Sequence, residues 1–285
     1  MFFYERSFTM LIDTLSKAQQ AILLASVLAD GEITKCYPKS RRKNNSYREH
    51  FGEPQRFYRE WKQCQFPDLL YIRQNNLVSK SLPLMTELYP YFYPHHKKVI
   101  PFELLSRCTH PLFLLTLYLD DGSLMISKRT NHANQLYVTP SIALYLQSFS
   151  KEELIPFCNW LNQTFHLNFR LSKTSNGCGY FLKTTRVTDT ITFLKQVAPY
   201  TVDLPKFSYK LDWEARLNKL QHEHPEYQVL PSNPSRPYTS EECTTILELK
   251  TSGWTTQAIA EKLNRTHWSV TYKFGQLKKG HGTSP

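Results

Sequence analysis

Two stretches of the chain are apolar at almost every position and stop at an acidic residue followed by glycine. Residues 21–31 read Ala-Ile-Leu-Leu-Ala-Ser-Val-Leu-Ala-Asp-Gly, and residues 111–123 read Pro-Leu-Phe-Leu-Leu-Thr-Leu-Tyr-Leu-Asp-Asp-Gly-Ser. Asp-Gly is an ordinary helix stop, so one such segment would mean little. Aligning Gly31 with Gly122 sets Asp30 against Asp121, about ninety residues apart. Two of them, each opening a similar stretch of chain, indicate a duplicated unit.

The elements that follow support the duplication. Ser16 and Gln19 have capping-box spacing and start the first apolar helix. Within it Ala25 and Ala29 lie one turn apart, which suits close approach of a second helix. Residues 32–48 lead with strand formers into a basic, Asn-rich turn and back. Residues 53–70 show helical spacing at Phe57, Trp61 and Cys64, which places Arg56, Arg59 and Lys62 outward. A hairpin about Asn75 and Asn76 and a helix over residues 82–92 complete the first unit. In the second unit Thr109 or His110 caps the helix and Pro111 fits its first turn. A basic ribbon over residues 124–138 follows. Then come a helix through Leu154, Phe157, Cys158, Leu161 and Phe165, a hairpin at Asn176–Gly177, and a helix over 187–197. The boundaries fall at residues 1–106, 107–221, a proline-rich linker over 222–237 with no stable element, and a tail over 238–285. In the tail, Thr239 and Glu242 form a capping box. Three short helices follow, a pattern similar to Myb-like or resolvase-like helix-turn-helix modules.

Composition narrows the function. The formal net charge is +11 and 14% of residues are aromatic, a mixture that favours a nucleic-acid partner over a membrane surface. The six cysteines stand singly, without a Cys-x-x-Cys pair, so neither a zinc knuckle nor a redox motif is indicated. The amino-terminal residues lack the apolar region of a signal peptide, and no apolar run has membrane-span length. A soluble intracellular protein is expected, in cytoplasm, nucleoid or an organelle matrix. His95–His96 and His222 with His224 lack partners at metal-ligand spacing.

The sign of the charge at the two helix ends is unusual. A helix C-terminus carries partial negative charge, so a carboxylate there is disfavoured by a few tenths to about 1 kcal/mol. Two such ends side by side repel each other. Divalent cations reverse that penalty, because hard cations take carboxylate oxygens and bridge them to phosphate.

Residues 23–31 and 114–122 resemble the paired signature of the LAGLIDADG homing endonucleases, the second in the branch ending Asp-Asp-Gly-Ser. Residues 88–101, before the second motif, and 199–211, near the end of the second repeat, resemble what that branch carries there, so the likeness covers most of residues 15–211. It implies an α+β fold of two pseudo-symmetric αββαββα repeats with saddle-shaped antiparallel sheets, plus the small all-α tail. It further implies that the two helices cross at the pseudo-two-fold axis. Asp30 and Asp121 then hold Mg²⁺ or Mn²⁺, one strand being cut per repeat to leave a staggered break. Lys98 (or Lys97) and Lys206 stand as supporting lysines. Asp120, turned about 100° from Asp121 along the helix, is expected to support rather than ligate. No histidine is placed as a base, and an ordered water suffices. The implied partner is double-stranded DNA with a long pseudo-symmetric site, bound by a monomer. Contacts are expected from Lys39, Arg41, Arg42, Lys43, Arg48 and Arg73 in the first repeat. In the second they come from Lys128, Arg129, Asn131, Arg170, Lys173 and Lys183, and in the tail from Arg265, Trp268, Thr271, Tyr272 and Lys273.

Rival readings keep the fold and lose the cleavage. One is an intron maturase acting on intron RNA; another is a DNA-binding regulator without catalysis. Acids kept in both motifs count against a dead regulator. A helix-turn-helix favours duplex DNA, because A-form major grooves admit a helix poorly.

Overall fold

The computed structural model describes residues 10–131, 134–175, 177, 179–232 and 237–280. Two compact units divide the chain, residues 1–234 and 235–285. The first contains two repeats of one order. Repeat one runs α1 (Lys17–Leu28), β1 (Glu32–Thr34), β2 (Ser46–His50), α2 (Arg56–Gln65), β3 (Leu70–Arg73), β4 (Asn76–Ser79) and α3 (Pro83–Phe92), with a short α4 (Phe102–Leu105) beyond. Repeat two runs α5 (Leu112–Asp121), β5 (Gly122–Thr130), β6 (Gln135–Leu144), α6 (Lys151–Phe165), β7 (Phe169–Lys173), β8 (Tyr180–Thr184) and α7 (Val187–Val197). Strand order is β1-β2-β4-β3 in one sheet and β5-β6-β8-β7 in the other, so the duplication extends to topology.

Helices α1 and α5 pack on each other at the centre of a core that runs through both repeats. Residues 20–28 and 112–119 are all buried. A helix without a solvent face needs apolar or small residues all round, which explains the absence of amphipathic periodicity in both motifs. Ser16 and Gln19 form the expected capping box. Ser150 and Glu153 form another at the start of α6, whose buried face is the one its spacing predicts.

Two expectations for these elements change. On α2 the inward face is Tyr58, Arg59, Trp61 and Lys62, whereas Phe57 is half-buried and Cys64 exposed. Charged partners beneath the helix draw Arg59 and Lys62 in, as described below. The first hairpin turns at Gln74–Asn75, one residue early, with Gln74 in the left-handed region at φ 52°. The turn residue Asn176 of the second repeat's last hairpin lies outside the described residues, as does His132 in its ribbon.

The stretch expected to be an unstructured linker carries structure. After α8 (Ser208–Leu211), α9 (Trp213–Glu223) leads into β9 (Gln228–Pro231), which pairs in parallel with the outer half of β6. Leu220, Leu136 and Val138 close a small separate core beneath it. Beyond residue 141, β6 instead meets β8, so β9 fills an edge that would otherwise expose backbone groups.

The second unit is three helices, α10 (Ser240–Thr251), α11 (Thr256–Lys262) and α12 (His267–Gly280). They close on Ile246, Ile259, Ala260 and Val270, with Thr239 and Glu242 capping the first.

Candidate active site

The motif helices deliver their acids to one place by their last turns. Asp30 follows the α1 C-cap, where the Gly31 amide donates to the Ser26 carbonyl at 2.7 Å. Asp121 is the last residue of α5, and its carbonyl accepts from the Tyr145 amide at 2.7 Å. Both following glycines are required for space rather than for backbone conformation. A Cβ on Gly31 would meet the Tyr47 ring at 2.6 Å and the Ser26 carbonyl at 2.8 Å, and one on Gly122 would meet the Tyr118 carbonyl at 2.5 Å.

The two carboxylates sense each other. Burial, followed by the like charge of Asp30, pushes Asp121 up to about 6. Two lysines flank the pair. The Lys98 ammonium donates to the Ala29 carbonyl at 2.8 Å and the Gly31 carbonyl at 3.1 Å, and the Lys210 ammonium donates to the Leu119 carbonyl at 3.0 Å. Each thus sits on the carbonyl end of one motif helix, where the helix dipole favours a cation. Burial lowers both lysines below their usual range, while Asp121 and Asp30 pull Lys98 back up and Asp120, Asp30 and Asp121 pull Lys210 back up. Lys206, the residue expected from repeat two, is exposed with its ammonium 4.8 Å from the Phe57 ring centre. Lys210 stands at the helix end instead. The two connections differ in length, Lys98 lying shortly after α3 and Lys210 beyond α7 and a further turn of helix, so spacing alone could not reveal the register.

Behind Asp30 lies a buried charge network that the apolar periodicity of α2 conceals. Arg59 donates to Asp30 Oδ2 at 2.7 Å and meets Glu49 Oε1 at 2.8 Å. Lys62 bridges Glu49 Oε1 at 2.9 Å and Asp120 Oδ2 at 2.8 Å, and the Tyr47 hydroxyl donates to Glu49. The side chains of Glu49 and Asp120 are fully buried, and those of Arg59 and Lys62 nearly so. Asp120 therefore faces inward onto Lys62 rather than outward. Burial and the carboxylates of Glu49 and Asp30 push it up to about 7, against the pull of Lys62 and Arg59. Burial would also raise Glu49, yet Lys62 and Arg59 hold it below its usual value. One signal was available: strand alternation puts Glu49 on the inward face of β2 with Tyr47, opposite Arg48 and His50. An inward Glu demands cations on whatever packs over it.

Asp30, Glu49 and Asp120 offer oxygens within 4.8 Å of one another, a grouping that resembles a metal cage. Two protein cations already neutralise it. The open coordination capacity lies elsewhere: Asp30 keeps a 34% exposed carboxylate, and Asp121 makes no side-chain ion pair or hydrogen bond among the described residues. Hard oxygens that repel each other in the absence of a cation fit a divalent ion. A cavity of about 540 Å³ opens at Asp30, lined also by Glu32, Arg48, His50, Asn76, Tyr93 and Lys98. His50 thus borders the site, although no histidine was expected there.

The basic residues expected to meet DNA fall into two groups. Exposed on loops or sheets are Lys39, Arg41, Lys43, Arg48, Arg73, Lys128, Arg129, Asn131, Arg170 and Lys173, with Lys183 half-buried beside Arg170. In the first repeat Lys39, Arg41 and Lys43 occupy a loop between two short strands rather than an extended ribbon. Arg48 pairs with Glu32, and Arg42 turns back to donate to Ser46 Oγ at 2.7 Å. In the tail Trp268, Thr271 and Tyr272 are exposed on α12 and Lys273 is half-buried. Arg265 is folded into its own unit, stacked 4.0 Å from the Tyr238 ring centre and bonded to Glu242 and the Pro237 carbonyl. Its side chain is 6% exposed, which removes it from the DNA-contact set.

Comparison with known proteins agrees with this architecture. The chain is 28% identical over 214 residues to the probable intron-encoded endonuclease 1 of Wickerhamomyces canadensis, spanning 70% of this chain and 85% of that protein. It is 26% identical over 204 residues to the protein RecA of Mycobacterium shimoidei, of which it covers 47%. Among solved structures, the homing endonuclease I-WcaI bound to its DNA recognition sequence shares the fold, with a TM-score of 0.53 and 24% identity over 73% of this chain and 90% of that one. The model of the LAGLIDADG DNA endonuclease family matches residues 20–188, more than half of the sequence and both acid-ended helices, so the chain belongs to that family.

Proposed function

We propose that the protein is a homing-type, site-specific endonuclease that hydrolyses one phosphodiester in each strand of duplex DNA with Mg²⁺ or Mn²⁺. What supports this reading is the packing of the two helices that end at Asp30 and Asp121, near enough for the charge of one to act on the other, each followed by a glycine that leaves no room for a side chain. Asp30 and Asp121 would hold the metal. When bound, it supplies Lewis acidity at phosphate oxygen and acidifies a water. Lys98 and Lys210 keep the helix-end carbonyls in place, and their positive charge favours the extra negative charge of the transition state. The exposed basic residues of both sheets and of α12 supply the phosphate attraction that makes binding salt-dependent. The relatives described above, one bound to its recognition sequence and one named intron-encoded, support duplex DNA as the substrate.

The test uses a target recovered by the protein from random duplexes and placed in a supercoiled plasmid. Asp30→Asn and Asp121→Asn should each abolish double-strand cutting by at least about a hundredfold, roughly 2.7 kcal/mol of barrier, while binding in a mobility-shift assay stays within a few-fold. Unchanged cleavage in either variant removes that residue from the site.

A further inference from the structure

The two motif carboxylates have unequal surroundings. Arg59 donates to Asp30 Oδ2 at 2.7 Å, and it cannot swing away. Its side chain is 2% exposed, held on its other side by Glu49 at 2.8 Å and laid over the Tyr58 ring at 4.9 Å. Asp121 has no comparable partner among the described residues: no protein cation or donor touches its carboxylate. Around the pseudo-axis, the place that Ala29 holds in motif one is held by Asp120 in motif two. The cations of α2 therefore pair directly with Asp30 and Asp120, and reach Asp121 only through their field, as Lys98 and Lys210 do.

We propose that Arg59 is a positioning residue that makes the two cation sites unequal, so that a divalent cation is held more tightly at Asp121 than at Asp30. At Asp30 the incoming ion shares one carboxylate with a fixed guanidinium and meets its positive charge at close range. At Asp121 neither oxygen is paired with a protein cation or donor among the described residues. The order of strand cutting follows: the strand served by Asp121 is nicked first, and a nicked duplex precedes the break. This rests on the reading of Asp30 and Asp121 as the metal carboxylates.

The test counts bound metal directly. Mn²⁺ is titrated into the full chain bound to a selected duplex, and free Mn²⁺ is followed by its electron paramagnetic resonance signal. The wild type should bind two ions with affinities at least about tenfold apart. Asp121→Asn should remove the tighter and Asp30→Asn the weaker. Arg59→Gln should bring the two within about threefold, and Arg59→Lys, which keeps the charge, should restore much of the gap. Should Arg59→Gln fail to fold by circular dichroism, Glu49→Gln takes its place: with its second anchor weakened, Arg59 turns wholly to Asp30 and the gap widens. Equal affinities in the wild type, loss of the weaker ion in Asp121→Asn, or a gap unmoved by these changes overturns the inference and leaves the endonuclease reading standing. If neither Asp variant loses an ion, the site assignment itself falls. Strand-specific end labels give an independent readout, in which the nicking order should become less biased in Arg59→Gln.

Discussion

Asp121 carries the cost of its position. A carboxyl whose pKa is higher in the folded chain favours the fold while protonated, and that contribution is lost as pH rises from the unfolded value towards the folded one. For Asp121 the window runs from 3.8 to about 6, and for Asp120 it extends to about 7. Stability without metal should therefore fall across this range. In the presence of a chelator Asp121→Asn should be more stable than wild type at pH 7 by on the order of 1–3 kcal/mol, and the advantage should vanish near pH 4. Urea unfolding at several pH values measures this, and a difference independent of pH would contradict the burial argument. With metal present, cutting should fall as the medium is acidified, because protons compete with the cation for the Asp121 carboxylate. Asp30 and Asp121 were legible because acid after an apolar helix is the wrong charge at that end. Arg59 and Lys62 were not: on α2 they follow the period of a solvated face, and only the inward Glu49 on a neighbouring strand gives them a reason to be buried. Lys210 was hidden by a loop whose length differs between repeats.

The motif helices depend on close approach where they end. Gly122→Ala would push a Cβ into the carbonyl of Tyr118, and into its ring as well. That ring is pinned, its hydroxyl donating to the Lys210 carbonyl at 2.7 Å and its edge packed against Phe193. Neither neighbour can yield cheaply, so the substitution should destabilise by about 1–3 kcal/mol and shift Asp121. Thermal unfolding together with cleavage tests it, and a variant of full stability would show that the turn can open. Elements of this kind were readable from pattern alone: the apolar period of α6 and the capping boxes of α1 and α10 all formed as spaced. The strand β9 was not, because its apolar content is two residues between prolines and histidines. Its pairing is supplied by β6, which leaves an open edge beside it.

Across the whole chain the division after residue 234 separates the two-repeat body from the helical tail. Each has its own core. A chain ending at residue 234 should stay folded and keep metal-dependent cutting. It should bind DNA more weakly, with a shallower dependence of log affinity on log salt, by about 0.9 for each phosphate that the tail had neutralised. A titration at several salt concentrations measures the slope, and an unchanged slope would exclude the tail from the interface. Trp268 and Tyr272 are its exposed aromatic candidates for that role.

The ancestry of a duplicated chain also bears on how it can be taken apart. Glu49, Arg59 and Lys62 come from one repeat and their counter-charge Asp120 from the other. A symmetric dimer built from two copies of the first half would set Ala29 where Lys62 needs an acid, and one built from the second half would bury Asp120 without the ion pairs that Lys62 and Arg59 give it. The two halves have become complementary rather than interchangeable. Re-engineering this scaffold for a new palindromic target would require moving the ionic partners along with the reading surface.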